Sequence, residues 1–179
     1  VGAPIAYSDS RFYRPTMNAL RNSIPWERRT DARRECFMAY APSTYTYGTG
    51  RGVRTYHSTE VTEYVHQVMT LINAENHSSY NACFLNYYEG QRNALGWHAD
   101  DSPEFDPEHP IAVVSFGAPR YIYFRPKGAK GHATDKVLLE DCSVLIMAAG
   151  MQEDWEHKIP RHTEPCDARI SMTLRKLIS

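Results

Sequence analysis

Apolar side chains recur in two rhythms in this sequence, and the change between them falls near residue 80. Over residues 59–76 they come at helical spacing, with Val61, Tyr64, Val65, Val68 and Ile72 on one face and Ser58 or Thr59 available as the cap. A shorter stripe of Met17, Leu20 and Ile24 predicts another helix, with Pro15 suited to its first position and Pro25-Trp26 at its end. From Asn81 the period becomes two. Residues 81–88 place Phe84, Asn86 and Tyr88 on one face and Cys83, Leu85 and Tyr87 on the other. Strands are likewise predicted over 111–117, 121–125, 137–139, 142–148 and 168–177, with turn residues such as Glu140-Asp141 between them. Upstream, Tyr45 and Tyr47 alternate with threonines, as in a strand, before Gly48, Gly50 and Gly52. Many short strands with little helix after residue 80 predict a mainly β (α+β) fold, a barrel or double-sheet jelly roll, with one or two helices packed on one sheet.

Composition adds limits. A chain of 179 residues with no internal repeat or linker is expected to be a single domain, 1–179. The formal net charge of −1 provides no global field toward a polyanion. Locally, Arg28, Arg29, Arg33 and Arg34 cluster, as either a solvated face or a contact to phosphates. Four cysteines without a Cys-x-x-Cys pair favour a reduced setting, cytoplasmic or, in a eukaryote, nuclear, with Cys83 and Cys142 as buried thiols. No stretch reads as a membrane span or an export signal, so a soluble protein is expected.

Chemistry enters at Trp97-His98-Ala99-Asp100. On a strand, residues i and i+2 project from one face, so an imidazole and a carboxylate converge there. That is two-thirds of the facial triad of non-haem Fe(II) oxygenases. A second histidine must come from a later strand. Among His109, His132, His157 and His162, His157 is best placed and His162 is next. The last predicted strand carries Arg169, Ser171, Thr173 and Arg175 on one face. It is either a solvated edge or an interior anion site, because inward arginines are costly without anions and their forks match carboxylates.

Five segments in order, Asn86-Tyr87-Tyr88, Trp97-His98-Ala99-Asp100-Asp101, residues 110–125, Trp155-Glu156-His157 and residues 169–175, resemble the AlkB family of Fe(II)- and 2-oxoglutarate-dependent dioxygenases. The resemblance runs from about Arg33 to Ile178. It implies a double-stranded β-helix core over 81–179, with helices and a nucleotide-recognition lid over 1–80. It implies that His98, Asp100 and His157 ligate Fe(II). It implies that Asn86 and Tyr88 hydrogen-bond 2-oxoglutarate, that Arg169 pairs with its distal carboxylate and that Arg175 lies near the metal end. Ser171 stands where the family usually has asparagine and can still donate a hydrogen bond. The implied reaction consumes O2, decarboxylates 2-oxoglutarate to succinate, and hydroxylates an N-alkyl carbon that leaves as an aldehyde.

The resemblance also implies a substrate: alkylated nucleic acid carrying bases such as 1-methyladenine or 3-methylcytosine, in DNA with RNA left open. Taken alone, the two tyrosines of that strand read as core aromatics; by the resemblance, Tyr47 instead matches an aromatic that stacks on the damaged base opposite His98. Tyr45 is kept as a second candidate. Asp101 matches an acidic residue that orients a cationic base, and Ser102 stands where relatives commonly carry glutamate. Single strands are expected to be preferred, because residues 28–35 are polar where some relatives carry an apolar duplex-prying finger. Trp97 and Trp155 are expected to pack beside the ligands and exclude water. The competing expectation is an oxygenase of the same type acting on a protein or small molecule. The protein is expected to be a monomer.

Overall fold

The computed structural model describes residues 2–9, 15–48 and 50–178. In chain order the elements are β1 (Ile5–Asp9), α1 (Met17–Ser23), β2 (Glu27–Thr30), β3 (Arg33–Ala39), β4 (Thr44–Tyr47), β5 (Arg54–His57) and α2 (Glu63–Asn76). They continue as β6 (Ala82–Tyr88), β7 (Leu95–His98), β8 (Ile111–Gly117), β9 (Arg120–Pro126), β10 (Asp135–Leu139), β11 (Ser143–Met147), α3 (Met151–Asp154), β12 (Trp155–Ile159) and β13 (Arg169–Arg175).

Two antiparallel sheets face each other. The larger has the order β1-β11-β8-β13-β6-β3-β2 and the smaller β10-β9-β12-β7. Strands β6 to β13 alternate between these sheets, except that β9 and β10 form a hairpin within the small one, the double-stranded β-helix pattern, so the predicted jelly roll is the architecture found. The outer face of the large sheet buries Cys36, Met38, Cys83, Leu85, Ile170, Met172 and Leu174 against Leu20 and Ile24 of the α1 region and Val65, Val68, Met69 and Ile72 of α2. Period-two and period-3.6 apolar faces therefore meet in one layer, the main hydrophobic source of stability. The inner face meets the small sheet through Val113, Leu145 and Met147 against Ile122, Phe124 and Ile159.

Several elements differ from expectation. Pro15 precedes α1; Thr16 is its cap, accepting a 3.1 Å hydrogen bond from the Ala19 amide. Helix α2 starts after Thr62, not near Thr59. Thr59 is occupied elsewhere: its amide donates to the Phe37 carbonyl at 2.8 Å and its carbonyl accepts from Ala39. Strands β1, β2 and β3 were not predicted. They show that the first forty residues supply part of the large sheet, where β3 pairs with β6 and β1 with β11. Nor is the arginine cluster a single face. Arg28 and Arg34 pair with Glu89, whereas Arg33 is buried. The final strand β13 is central, lying between β8 and β6.

Gly117 closes the β8–β9 turn at φ +91°, where a Cβ would lie 2.4 Å from the Ala168 carbonyl oxygen. Gly117→Ala should therefore lose at least about 2 kcal/mol of stability, a fall in melting temperature of roughly 5 °C. A melting temperature equal to that of the parent would show that the turn relaxes freely.

Candidate active site

The site lies between the sheets and is built by register. Residues directly opposite in an antiparallel pair share a face. Across the large sheet Glu35 faces Asn86, Asn86 faces Ser171, Ser171 faces Ser115 and Ser115 faces Ser143. This polar row crosses five strands inside an otherwise apolar layer. On one side of it, Tyr88 faces Arg169, and on the other, Phe84 faces Thr173. From the small sheet, His157 of β12 stands opposite His98 of β7.

Those two imidazoles have ring centroids 4.2 Å apart. Asp100, just past β7, completes the group: its Oδ1 is 3.6 Å from His98 Nε2 and its Oδ2 is 3.4 Å from His157 Nε2. One ligand atom from each lies within 4.8 Å of the others. His98 Nδ1 is 2.8 Å from the Gly96 carbonyl, a contact that needs Nδ1 to carry the proton and leaves the Nε2 lone pair facing inward. Gln152 Oε1 accepts from the Asp100 amide at 2.9 Å and holds the turn that carries the carboxylate. Burial and the neighbouring His157 push the His98 pKa down to about 4, so it is a neutral ligand at ordinary pH. Burial would raise the Asp100 carboxyl. The His157 hydrogen bond, the electrostatic influence of the two imidazoles and the nearby Arg175 cation outweigh it and hold the group far below the usual carboxylate range.

Beside this cluster sits an anion pocket. Arg169 is 1% exposed, donates to Ser115 Oγ at 2.9 Å, and has no partner for Nε or Nη1 among the described residues. Burial pulls its pKa down to about 10, which leaves it charged. A buried guanidinium with two idle N–H groups fits a carboxylate, and Asn86, Tyr88 and Ser171 line the same cavity. Arg175, also buried, donates to the Asp100 carbonyl at 2.5 Å, with its Nε unpartnered among the described residues. The donor set of two imidazoles and one carboxylate suits Fe(II), and the paired cations suit a dicarboxylate.

The structure gathers His98, Asp100, His157, Asn86, Tyr88, Arg169, Ser171, Arg175, Tyr45 and Tyr47 around one cavity. Within it, Tyr47 is the aromatic beside the His98–Asp100–His157 group, its ring centroid 6.0 Å from that of His98 and edge-on to it. Tyr45 is 5% exposed, stacks on Tyr56 at 5.1 Å and meets Phe37 and Phe105 edge-on, so its ring supports the cavity wall. Asp101 and Ser102 line an adjoining cavity instead, which shares only Asp100 and Arg175 with the first. Asp101 is exposed and paired with Lys127 at 2.9 Å. His109 and His162 stay in loops away from the cluster, bonded to Pro110 and Glu164 carbonyls. Trp155 packs into the inter-sheet core, as expected, whereas Trp97 lies on the outer face of the small sheet beneath Arg125 and Lys158.

Residues 33 and 35 were not anticipated at this site. Arg33 donates to Asn86 Oδ1 at 2.5 Å and pairs with Glu35 at 2.7 Å, while Tyr56 donates to the other Glu35 oxygen at 3.0 Å. The signal was available: Arg33, Glu35 and Phe37 alternate ahead of an apolar run, so the charges share a face with a core residue. Ser115 escaped notice because a lone serine in an apolar strand carries no pattern.

Comparison with known proteins agrees with this geometry. The family described as "2OG-Fe(II) oxygenase superfamily" matches residues 6–175. The chain is 28% identical over 167 residues to the alpha-ketoglutarate-dependent dioxygenase alkB homolog 3 of Bos taurus, covering 87% of this chain and 58% of that protein. It is 25% identical over 200 residues to the DNA oxidative demethylase ALKBH2 of Arabidopsis thaliana, covering 89% and 60%. It thus spans about three-fifths of the length of these relatives. A solved structure described as "The structure of OsALKBH1" shares the fold, with a TM-score of 0.64 at 19% identity over 98% of this chain and 99% of that one. No helix among the described residues is long and apolar enough to cross a membrane.

Replacing His98 and Asp100 together by alanine removes two of three donors. Affinity for Mn(II), measured by calorimetry on the folded variant, should fall by more than about 100-fold. A change of less than tenfold would place the metal elsewhere.

Proposed function

The chain belongs to the 2OG-Fe(II) oxygenase superfamily, and to the AlkB family within it; from that premise we propose that it is an oxidative demethylase of N-alkylated bases in nucleic acid. The observation that carries the reading is the convergence of His98, Asp100 and His157 beside a buried Arg169 with two unpaired donors. Few activities other than a metal-assisted oxidation with an organic acid use both halves. When bound, Fe(II) with 2-oxoglutarate and O2 would supply the oxidising equivalent that hydroxylates the alkyl carbon.

The protein's own groups do the remaining work. His98, Asp100 and His157 would hold one face of the metal and leave the opposite face open. Arg169 and Ser171, with Asn86 and Tyr88, would fix the co-substrate by its distal carboxylate and hydrogen bonds. Arg33 orients Asn86 by occupying its amide oxygen, which turns the amide N–H groups toward the cavity. Tyr47 would cover the base opposite His98. A planar base needs about 7 Å between the faces that sandwich it, so the Tyr47 ring must turn and lift to admit one. It is carried at the end of β4, immediately before the turn at Gly48, a position from which that motion disturbs no sheet but the short β4–β5 ribbon. Asp101 and Ser102, in the neighbouring cavity, would contact the base only through its edge or the adjoining nucleotide.

Single strands are the preferred substrate in this reading. The alkylated atom of a paired base is hidden, and the β2–β3 hairpin that could pry a duplex carries Glu27, Arg28, Arg29 and Thr30 with no apolar wedge.

Incubation of the protein with Fe(II), ascorbate and 2-oxoglutarate should remove one methylene mass from single-stranded oligonucleotides carrying 1-methyladenine or 3-methylcytosine and release formaldehyde. Matched duplexes should react more slowly. Succinate formation with no mass change on any lesion, 1-methylguanine included, would direct the search to a protein or small-molecule substrate. Faster reaction on duplexes would contradict the strand preference.

A further inference from the structure

The outer face of the small sheet, opposite the metal cluster, carries an alternation of rings and cations that the site chemistry does not use. Lys158 faces Tyr123 across the β12–β9 pair, and Lys136 faces Tyr123 across β10–β9. Lys158 Nζ lies 4.9 Å from the Trp97 ring and 5.7 Å from Tyr123. A single row therefore reads Trp97, Lys158, Tyr123, Lys136 from β7 to β10. Beside it Tyr121, 38% exposed, sits 6.3 Å from Tyr123 and 5.2 Å from Lys136 Nζ. Arg125 lies 4.1 Å over the Trp97 ring, anchored by Glu156 and the Gly131 carbonyl. Neither Lys136 nor Lys158 has a carboxylate partner among the described residues.

We infer that this face is a track for the single-stranded segment flanking the target base, with bases stacking on Tyr121, Tyr123 and the Arg125–Trp97 pair and phosphates meeting Lys158 and Lys136. Three features favour that occupant. Planar rings and a guanidinium plane offer stacking surfaces to unpaired bases of any sequence. Unpaired lysines between the rings supply charge complementary to a backbone that passes them, in a protein whose overall charge supplies none. The row is also continuous with the site: Trp97 and His98 are neighbours on β7, the edge strand, and point to opposite faces of it. A strand leaving the cavity around that edge meets Trp97 first. Three inter-strand steps of about 4.8 Å then give a path of roughly 14 Å, enough for a few nucleotides.

The inference rests on the nucleic-acid reading of the site, and its test is independent of turnover. Anisotropy of an unmodified, labelled oligothymidylate of about twelve nucleotides is measured with metal-free protein, which removes both lesion and chemistry. Lys136→Glu with Lys158→Glu should weaken binding at least tenfold and reduce the slope of log K against log salt by about 1.4, the share of two phosphates. Tyr121→Ala should weaken binding several-fold with no change of slope. Both variants keep the metal cluster intact, and turnover of a methylated trinucleotide, too short to reach the row, should equal that of the parent. Oligonucleotide binding that is lost in the variants supports the track even where no lesion is demethylated, and in that case the function above fails alone. The track is overturned by unchanged binding in both variants, by no binding in the parent, or by duplex or polyglutamate binding as tightly as the single strand.

Discussion

A guanidinium taken out of water costs several kcal/mol unless an anion faces it, and Arg169 is enclosed on all sides with one hydroxyl partner and two idle N–H groups. Around that unmet charge the interior is organised. Tyr88 carries the guanidinium over its ring at 5.3 Å, and Arg120, held by the Asn93 and Pro160 carbonyls, flanks the same ring at 5.6 Å. No carboxylate of the chain pairs with Arg169 among the described ion pairs. By contrast Arg33, also buried, has Glu35. The compensating charge is then expected from a ligand, and the His98–Asp100–His157 triad converges in the same cavity.

The jelly roll explains why these groups meet although they are distant in sequence. Antiparallel register carries polarity sideways through the large sheet, so Glu35, Asn86, Ser171, Ser115 and Ser143, from five strands, form one row. The small sheet brings the two histidines opposite each other by the same rule. A one-residue slip of β12 against β7 would send His157 to the outer face, turn Lys158 inward and dissolve the cluster. The site is thus fixed by pairing, with the segment after β7 supplying Asp100 and the β4–β5 ribbon the aromatic cover.

Much of this was legible in the sequence where the signal is periodic. The alternations in 81–88 and 169–175 grouped Asn86 with Tyr88 and Arg169 with Ser171 and Arg175 on single faces, but alternation alone left the last strand as a solvated edge or an interior site; its place between β8 and β6 turns that face inward. His-x-Asp announced two candidate ligands, whereas the preference for His157 over His162 rested first on its position after a buried-looking strand, and the resemblance then singled it out. Edge and irregular pieces were not legible. Strand β1 has a mixed pattern and exists by pairing with β11, and β2 is four residues of which three are charged. Arg33 and Glu35 were obscured by Arg28, Arg29 and Arg34, since a run of arginines gives no hint that one of them turns inward. Trp97 was placed by its neighbour His98, though alternation alone put it on the other side of the sheet.

The most direct test of the central claim is calorimetric titration of 2-oxoglutarate into the protein loaded with Mn(II), into metal-free protein, and into Mn(II)-loaded Arg169→Ala. One site should bind tightly only when metal and guanidinium are both present, with affinity lower by at least about 30-fold when Arg169 is removed. Equal affinity without metal, or with alanine in place of Arg169, would contradict the account.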